Sequence, residues 1–402
     1  MKQCKYNTAG VTQMINEVLL NCISAFLRGE KLTSELSDAE WQELIDKSAQ
    51  QKVIPMVYEA LGDNMPEDIK RSCKAATMYN VAAQLKRNSE FLSAYKDLTA
   101  AGITPLVVKG IICRSVYDKP EYRSSADEDL FVPLEQYPAF HEKMLELGFK
   151  ANEPDYKNAH EERYMRDCLL AEGHWELFPQ ENDALNALNA YSKSFWARAC
   201  TQTVERVEMK VLEPTDHMIF LLLHTYKHFI SSGVGVRQIC DIAQWAKHYE
   251  LNWTSIREAM KSMHGEYFAA ALFDAGEKYF GMTFPEGWER ADSTELLNDA
   301  LDGGIYGSVD MSRKHSGSIT LGAVESAHNE KKGIPLMSAI FPNRAVMEMS
   351  YPWVKKSGAL LPVAWGARII RYLGERGNNN TAAESMKIGS ERLELLKKYR
   401  II

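Results

Sequence analysis

Paired cysteines are missing from this chain. Cys4, Cys22, Cys73, Cys113, Cys168, Cys200 and Cys240 are odd in number, widely scattered and contain no C-x-x-C pair. That excludes a disulfide framework and reads as buried or idle thiols in a reducing compartment. A long apolar run is missing as well. The longest, SGALLPVAWGA at residues 357–367, contains a proline and falls short of the roughly 18 residues a spanning helix needs, so no membrane span is expected. Lys2 and Lys5 precede an apolar stretch that Asn16 and Glu17 interrupt, with no small-residue cleavage site behind it. No secretory signal is read there, and the cytoplasm is the expected location. Excess positive charge is absent too: 47 Lys and Arg stand against 54 Asp and Glu, for a net charge of -7. General DNA binding is therefore not expected, although a local basic patch could still hold an RNA end. Neither an internal repeat nor a long low-complexity region is present.

What remains is an ordinary globular composition, 45% apolar and 25% charged, over 402 residues. That length exceeds what one core usually serves, so several packed units with a cleft between them are expected. Residues 1–102 read as an N-terminal helical domain, from MINEVLLNCISAFL through SDAEWQELIDKSAQQ to a long third helix that stops at Ala101-Gly102. Ser37 and Glu40 have capping-box spacing. Residues 103–212 change character: the short apolar runs TPLVVKG and LFVP flank a helix-like IICRSVY. An amphipathic helix and an irregular stretch then lead to the alternating CLLAEGHWELF. Residues 213–300 return to helix. Residues 301–402 read as an irregular and helical tail packing on the core, with a charged HNEKKG, the Asn378–Asn380 tract and a final helix ERLELLKKYR. The fold class expected is α+β, a small mixed-sheet core flanked by N-terminal and C-terminal helical domains.

The chemistry concentrates in VVKGIICRSVYDKPEYRSSADEDLFVP. A strand ends at Lys109-Gly110, and a second opens with Asp127 and Asp129. Residues two apart on a strand share a face, so the two carboxylates project side by side about 7 Å apart and can converge on a hard divalent cation. Taken alone, such a pair is commonly a solvated edge and a Lys-Gly commonly a turn. In CLLAEGHWELF, alternation places Leu170, Glu172, His174 and Glu176 on one face, which makes Glu172 the choice for a third carboxylate. Gly110 lets the backbone approach a triphosphate, the next helix aims free N–H groups at it, and Lys109 or Arg123 neutralises it. Glu128, between the aspartates, should face the other side of the sheet and must reach solvent or a partner.

Further along, His217, His224 and His228 fall on one helical stripe, read either as a cleft wall or as structural histidines. Lys227 and His228 are candidate substrate contacts. Arg237 and Asp241 have the spacing of a helix ion pair.

Together, Lys109-Gly110, Tyr117, Arg123, Asp127-x-Asp129 and Glu172-x-His174-Trp175 resemble the bacterial uncharacterised nucleotidyltransferase family within the DNA polymerase β-like superfamily. LLHTYKH, VRQICDIAQW and the YPWVKKSGALLPVAWGARIIRYL tail extend the likeness. Ile111, Ala126 and Glu128 depart from the usual pattern, and no serine follows Gly110 to meet a γ-phosphate. The resemblance implies transfer of a nucleotide from an NTP to a hydroxyl-bearing acceptor with loss of pyrophosphate. It also implies two Mg²⁺ ions at Asp127, Asp129 and Glu172, and nucleotide contacts from Lys109, Gly110, Arg123, His174, Lys227 and His228. The acceptor stays open between a small molecule, an RNA and a protein. Competing readings are a degenerate nucleotide- or protein-binding module, kept alive by Glu128, and a toxin or antitoxin component nucleotidylating RNA or protein.

Overall fold

Four helices open the chain: α1 (Thr8–Arg28), α2 (Asp38–Gln50), α3 (Ile54–Leu61) and α4 (Glu67–Ala100). In α1, Ile15, Leu19, Cys22, Ile23 and Phe26 recur at three and four spacing and are all buried, forming the apolar stripe that seats the helix on the core. The Glu40 carboxylate accepts both the backbone N–H and the hydroxyl of Ser37 at 2.7 Å, fixing the start of α2. At the end of α4, Gly102 adopts a left-handed φ of 80°. There Ile103 N–H returns to the Leu98 carbonyl at 3.0 Å, which stops the helix where the glycine predicts. The computed structural model describes residues 8–180, 182–304, 311–328, 344, 347–348, 351–374 and 381–402. Lys2, Cys4, Lys5, residues 329–333 of the charged stretch and the Asn378–Asn380 tract lie outside the described residues.

The middle of the chain supplies β1 (Leu106–Val107), α5 (Ile111–Arg114), β2 (Asp127–Phe131), α6 (Tyr137–Glu146), β3 (Glu161–Arg166) and β4 (Leu169–His174). It continues with α7 (Asp183–Asn186), α8 (Ser192–Arg198), β5 (Cys200–Val204) and β6 (Val207–Val211). The six strands form one mixed sheet in the order β3-β4-β2-β1-β6-β5, with β2 parallel to β4 and β1 parallel to β6. The expected α+β class is the observed one. Two local expectations change. The helix after Lys109-Gly110 is a single turn, with Ile111, Ile112 and Arg114 all buried. The irregular stretch before β4 contains β3, an edge strand in which only Tyr164 is fully buried, so no alternation marks it in the sequence.

Beyond the sheet come α9 (Pro214–Ser231), α10 (Val236–His248), α11 (Trp253–Ser262), α12 (Glu266–Phe280) and α13 (Thr294–Gly303). After them lie α14 (Met311–His328), α15 (Leu361–Gly374) and α16 (Thr381–Lys398). Helix α9 is buried on nearly every side. Arg392 of α16 donates to the carbonyls of Phe229 and Ser231, satisfying the orphan acceptors at the end of α9. One apolar cluster runs from Ile15 of α1 through the sheet to Leu396 and Tyr399. Among the described residues, no helix is long and apolar enough to cross a membrane.

Candidate active site

Parallel pairing of β2 with β4 sets Asp129 opposite Glu172 and Asp127 opposite Leu170. Because side chains repeat every second residue, Asp127, Asp129, Glu172 and His174 then share one face. Donor atoms of Asp129, Glu172 and His174 lie within 4.8 Å of one another. Asp127 lines the same cleft, which has a volume of about 250 Å³ and is lined also by His224, Lys227 and His228 of α9.

Lys109 enters this cluster from the end of β1. Its ammonium lies 3.0 Å from one Asp129 oxygen and 3.1 Å from the other, and 3.4 Å from His224 Nε2. Burial disfavours the charged form of Asp129, but Lys109 and His174 win and hold its carboxyl below the usual range. Glu172 behaves oppositely: burial, reinforced by Asp129 and Glu161, pushes it up to about 7. Burial works against protonated His174, yet the Asp129 and Glu161 carboxylates raise it above its ordinary value. Burial, then the charges of Lys109 and Lys227, keeps His224 and His228 well below theirs. Lys227 is lowered by burial, which outweighs the pull of Glu161. Two neighbouring carboxylates are thus pushed in opposite directions by their surroundings.

Other expected residues lie elsewhere. Gly110 does carry a positive φ, 63°, but the group it admits is a protein carboxylate. A Cβ there would fall 2.7 Å from Glu128 Cδ. The Glu128 carboxylate accepts the Ile111 N–H at 2.7 Å and pairs with the buried Arg114 guanidinium. The N–H expected to meet a triphosphate is therefore taken, and Glu128 finds its partner on the face away from the cleft. Arg123 is likewise committed: its guanidinium grips Asp241 through Nε at 3.0 Å and through Nη2, while the Tyr117 hydroxyl donates to the same carboxylate at 2.7 Å. It lines a small cavity behind Lys109 instead of the main cleft. The expected Arg237–Asp241 pair is replaced accordingly, with Arg237 donating to the Ser124 carbonyl. His217 leaves the histidine stripe for the core, its ring 3.9 Å from that of Trp245.

His160, Glu161 and Arg163 also line the cleft without having been marked in the sequence. Arg163 stands opposite Glu172 in the β3–β4 pairing, with Nε 3.0 Å from its carboxylate. Recognition of β3 as a strand is the signal that would have found them.

The carboxylate set offers oxygen donors of the kind a divalent cation takes. Asp129 already holds a cation with both oxygens, in the form of Lys109, and Asp127 and Glu172 add oxygen donors of the kind a hard ion takes. No curated protein and no solved structure matches the chain. The sequence model of a family described as uncharacterised nucleotidyltransferase matches residues 37–281, a span that holds the whole sheet, α9 and every residue of the cleft. The chain therefore belongs to that family of nucleotidyltransferases.

Proposed function

We propose that the protein transfers a nucleoside monophosphate from an NTP to a hydroxyl-bearing acceptor and releases pyrophosphate. The observation that carries this reading is the alignment of Asp129 with Glu172 across β2 and β4, with Asp127 and Lys109 facing the same cleft. Mg²⁺, two ions in the full reading, would be held by Asp127, Asp129 and Glu172 and would supply charge to the triphosphate and to the attacking oxygen. Lys109 and Lys227 bring positive charge toward the phosphates, and His174 and His228 add donors at the cleft wall. Glu172 takes the acceptor proton as the acceptor oxygen bonds to the α-phosphorus and the bond to pyrophosphate breaks. Gly110 and Arg123 serve at one remove, the first by seating Glu128 under β2 and the second by anchoring α10 through Asp241.

The rival reading, a degenerate binding module, rested on Glu128. Its carboxylate is occupied by Arg114 and Ile111 outside the cleft, so it does not favour loss of activity. An acceptor among small molecules, RNA or protein, the last two including a toxin-like role, fits the cleft chemistry equally. A cytoplasmic setting accords with Cys22, Cys73, Cys113 and Cys240, all buried as free thiols. Incubating the protein with each labelled NTP, Mg²⁺ and cell lysate tests the proposal. Pyrophosphate release and label transfer are expected, and both should vanish in the Asp127→Asn/Asp129→Asn variant. Undiminished transfer by that variant rejects the site.

A further inference from the structure

Beside the carboxylate set lies a second donor set of different character. His160 immediately precedes β3, and its carbonyl accepts the N–H groups of Trp175 at 3.0 Å and Glu176 at 3.3 Å. Its backbone is thus pinned to the end of β4. Glu161 is paired with His174 across the β3–β4 ladder. The consequence is that one oxygen, Glu161 Oε2, stands 3.3 Å from His160 Nε2 and 3.3 Å from His174 Nδ1. Donor atoms of the three residues lie within 4.8 Å of one another.

These contacts lack hydrogen-bond geometry. His160 Nε2 and both ring nitrogens of His174 are buried with no hydrogen-bond partner, and the His174 residue is only 4% exposed. Buried ring nitrogens cost stability unless something takes their lone pair or proton. Two imidazoles flanking a carboxylate oxygen form a nitrogen-rich set, which suits a borderline transition cation, whereas the neighbouring carboxylates suit a hard one.

We propose that His160, Glu161 and His174 form a separate site for a zinc-class cation. His174 is the link between the two sets: with Nδ1 directed at Glu161, its Nε2 lies 3.4 Å from Asp129 Oδ1. Ligation through Nδ1 places the ring proton on Nε2 and aims it at Asp129, the pattern by which metal-bound histidines engage carboxylates. An ion there orients Asp129 through His174.

The test measures metal retention with neither nucleotide nor Mg²⁺ present. Protein loaded with Zn²⁺, or with Co²⁺ as a spectroscopic probe, is freed of excess ion by gel filtration. About one retained equivalent is expected in the wild type and in Glu172→Gln, with shifted imidazole proton resonances in the Co²⁺ form. Retention should be lost in His160→Ala and in the bulkier His160→Gln. Thermal unfolding in chelator should match the wild type for at least one of the two, which separates loss of the site from loss of the fold. Equal retention by the wild type and both His160 variants overturns the proposal, as does loss of the ion in Glu172→Gln. Because the readout is metal content, either result leaves the nucleotidyltransferase reading standing.

Discussion

The Lys109 ammonium spans both carboxylate oxygens of Asp129, at 3.0 and 3.1 Å, in a setting where Lys109 is 7% exposed and Asp129 3%. A buried carboxylate is expensive to keep ionised, and the close Lys109 ammonium, with His174 beside it, is what keeps this one so. Lys109→Met removes that cation while retaining most of the side chain's length. Transfer should fall by about 100-fold or more, the usual cost of deleting one electrostatic stabiliser at a reacting phosphate. Steady-state pyrophosphate release checks it, with the loss expected mainly in kcat. A loss confined to KM would assign Lys109 to ground-state nucleotide binding alone.

Glu128 gives a prediction about stability. Its carboxylate is shared between Arg114 and the Ile111 N–H, and both side chains are buried. Removing one partner strands the other, so Glu128→Ala should cost about 3–5 kcal/mol in urea denaturation. Replacing both partners with apolar groups, as Arg114→Met with Glu128→Leu, should recover part of that loss, because no buried charge then remains unpaired. A Glu128→Ala protein as stable as the wild type would remove the ion pair from any structural role.

These two residues also mark how far the sequence could be read. The two-residue period of a strand placed Asp127 and Asp129 on one face and Glu128 on the other, and alternation did the same for Glu172 and His174. Periodicity is a local property, so those pairings were legible. The commitments of Arg123 to Asp241 and of Glu128 to Arg114 were not, since they depend on which elements meet. The Arg123–Asp241 pair joins residues 118 positions apart, and the nearer Arg237 was the only partner that helix spacing could suggest. Strand β3 was hidden for a different reason: an edge strand with one buried side chain has no alternation to display.

Gly173 lies between Glu172 and His174, and its back faces a wall of aromatic rings. A Cβ there would meet Phe140 Cε1 at 2.7 Å, the Tyr137 hydroxyl at 2.8 Å and Tyr164 Cε2 at 2.9 Å. All three side chains are fully packed, with Tyr137, Phe140 and Tyr164 at 0% exposure, so none yields easily. Gly173→Ala should therefore lower stability by about 1–3 kcal/mol, as overpacking does. Transfer should drop in the same variant, assayed below its melting temperature, because β4 must shift and carry both Glu172 and His174 with it. Full activity together with unchanged stability would mean that the strand tolerates the methyl group.

The last prediction concerns pH. His217 is fully buried, its Nε2 3.8 Å from Cys113 Sγ and its ring against Trp245. Burial drives it down to about 3, with Asp241 opposing only weakly. The unfolded chain takes up this proton near the ordinary histidine value of about 6.5, whereas the folded chain refuses it until far lower pH. Between those two values the unfolded state holds more protons, so stability rises with pH across the window and is fully present above it. On acidification from pH 7 to pH 5, this one residue should remove about 2 kcal/mol of stability. Denaturant unfolding of the wild type and His217→Leu at both pH values isolates the effect. The leucine variant will be weaker at pH 7 because it packs less well against Trp245, but its loss between pH 7 and pH 5 should be smaller than the wild type's by that amount. Equal losses in the two proteins would mean that His217 is protonated in the fold.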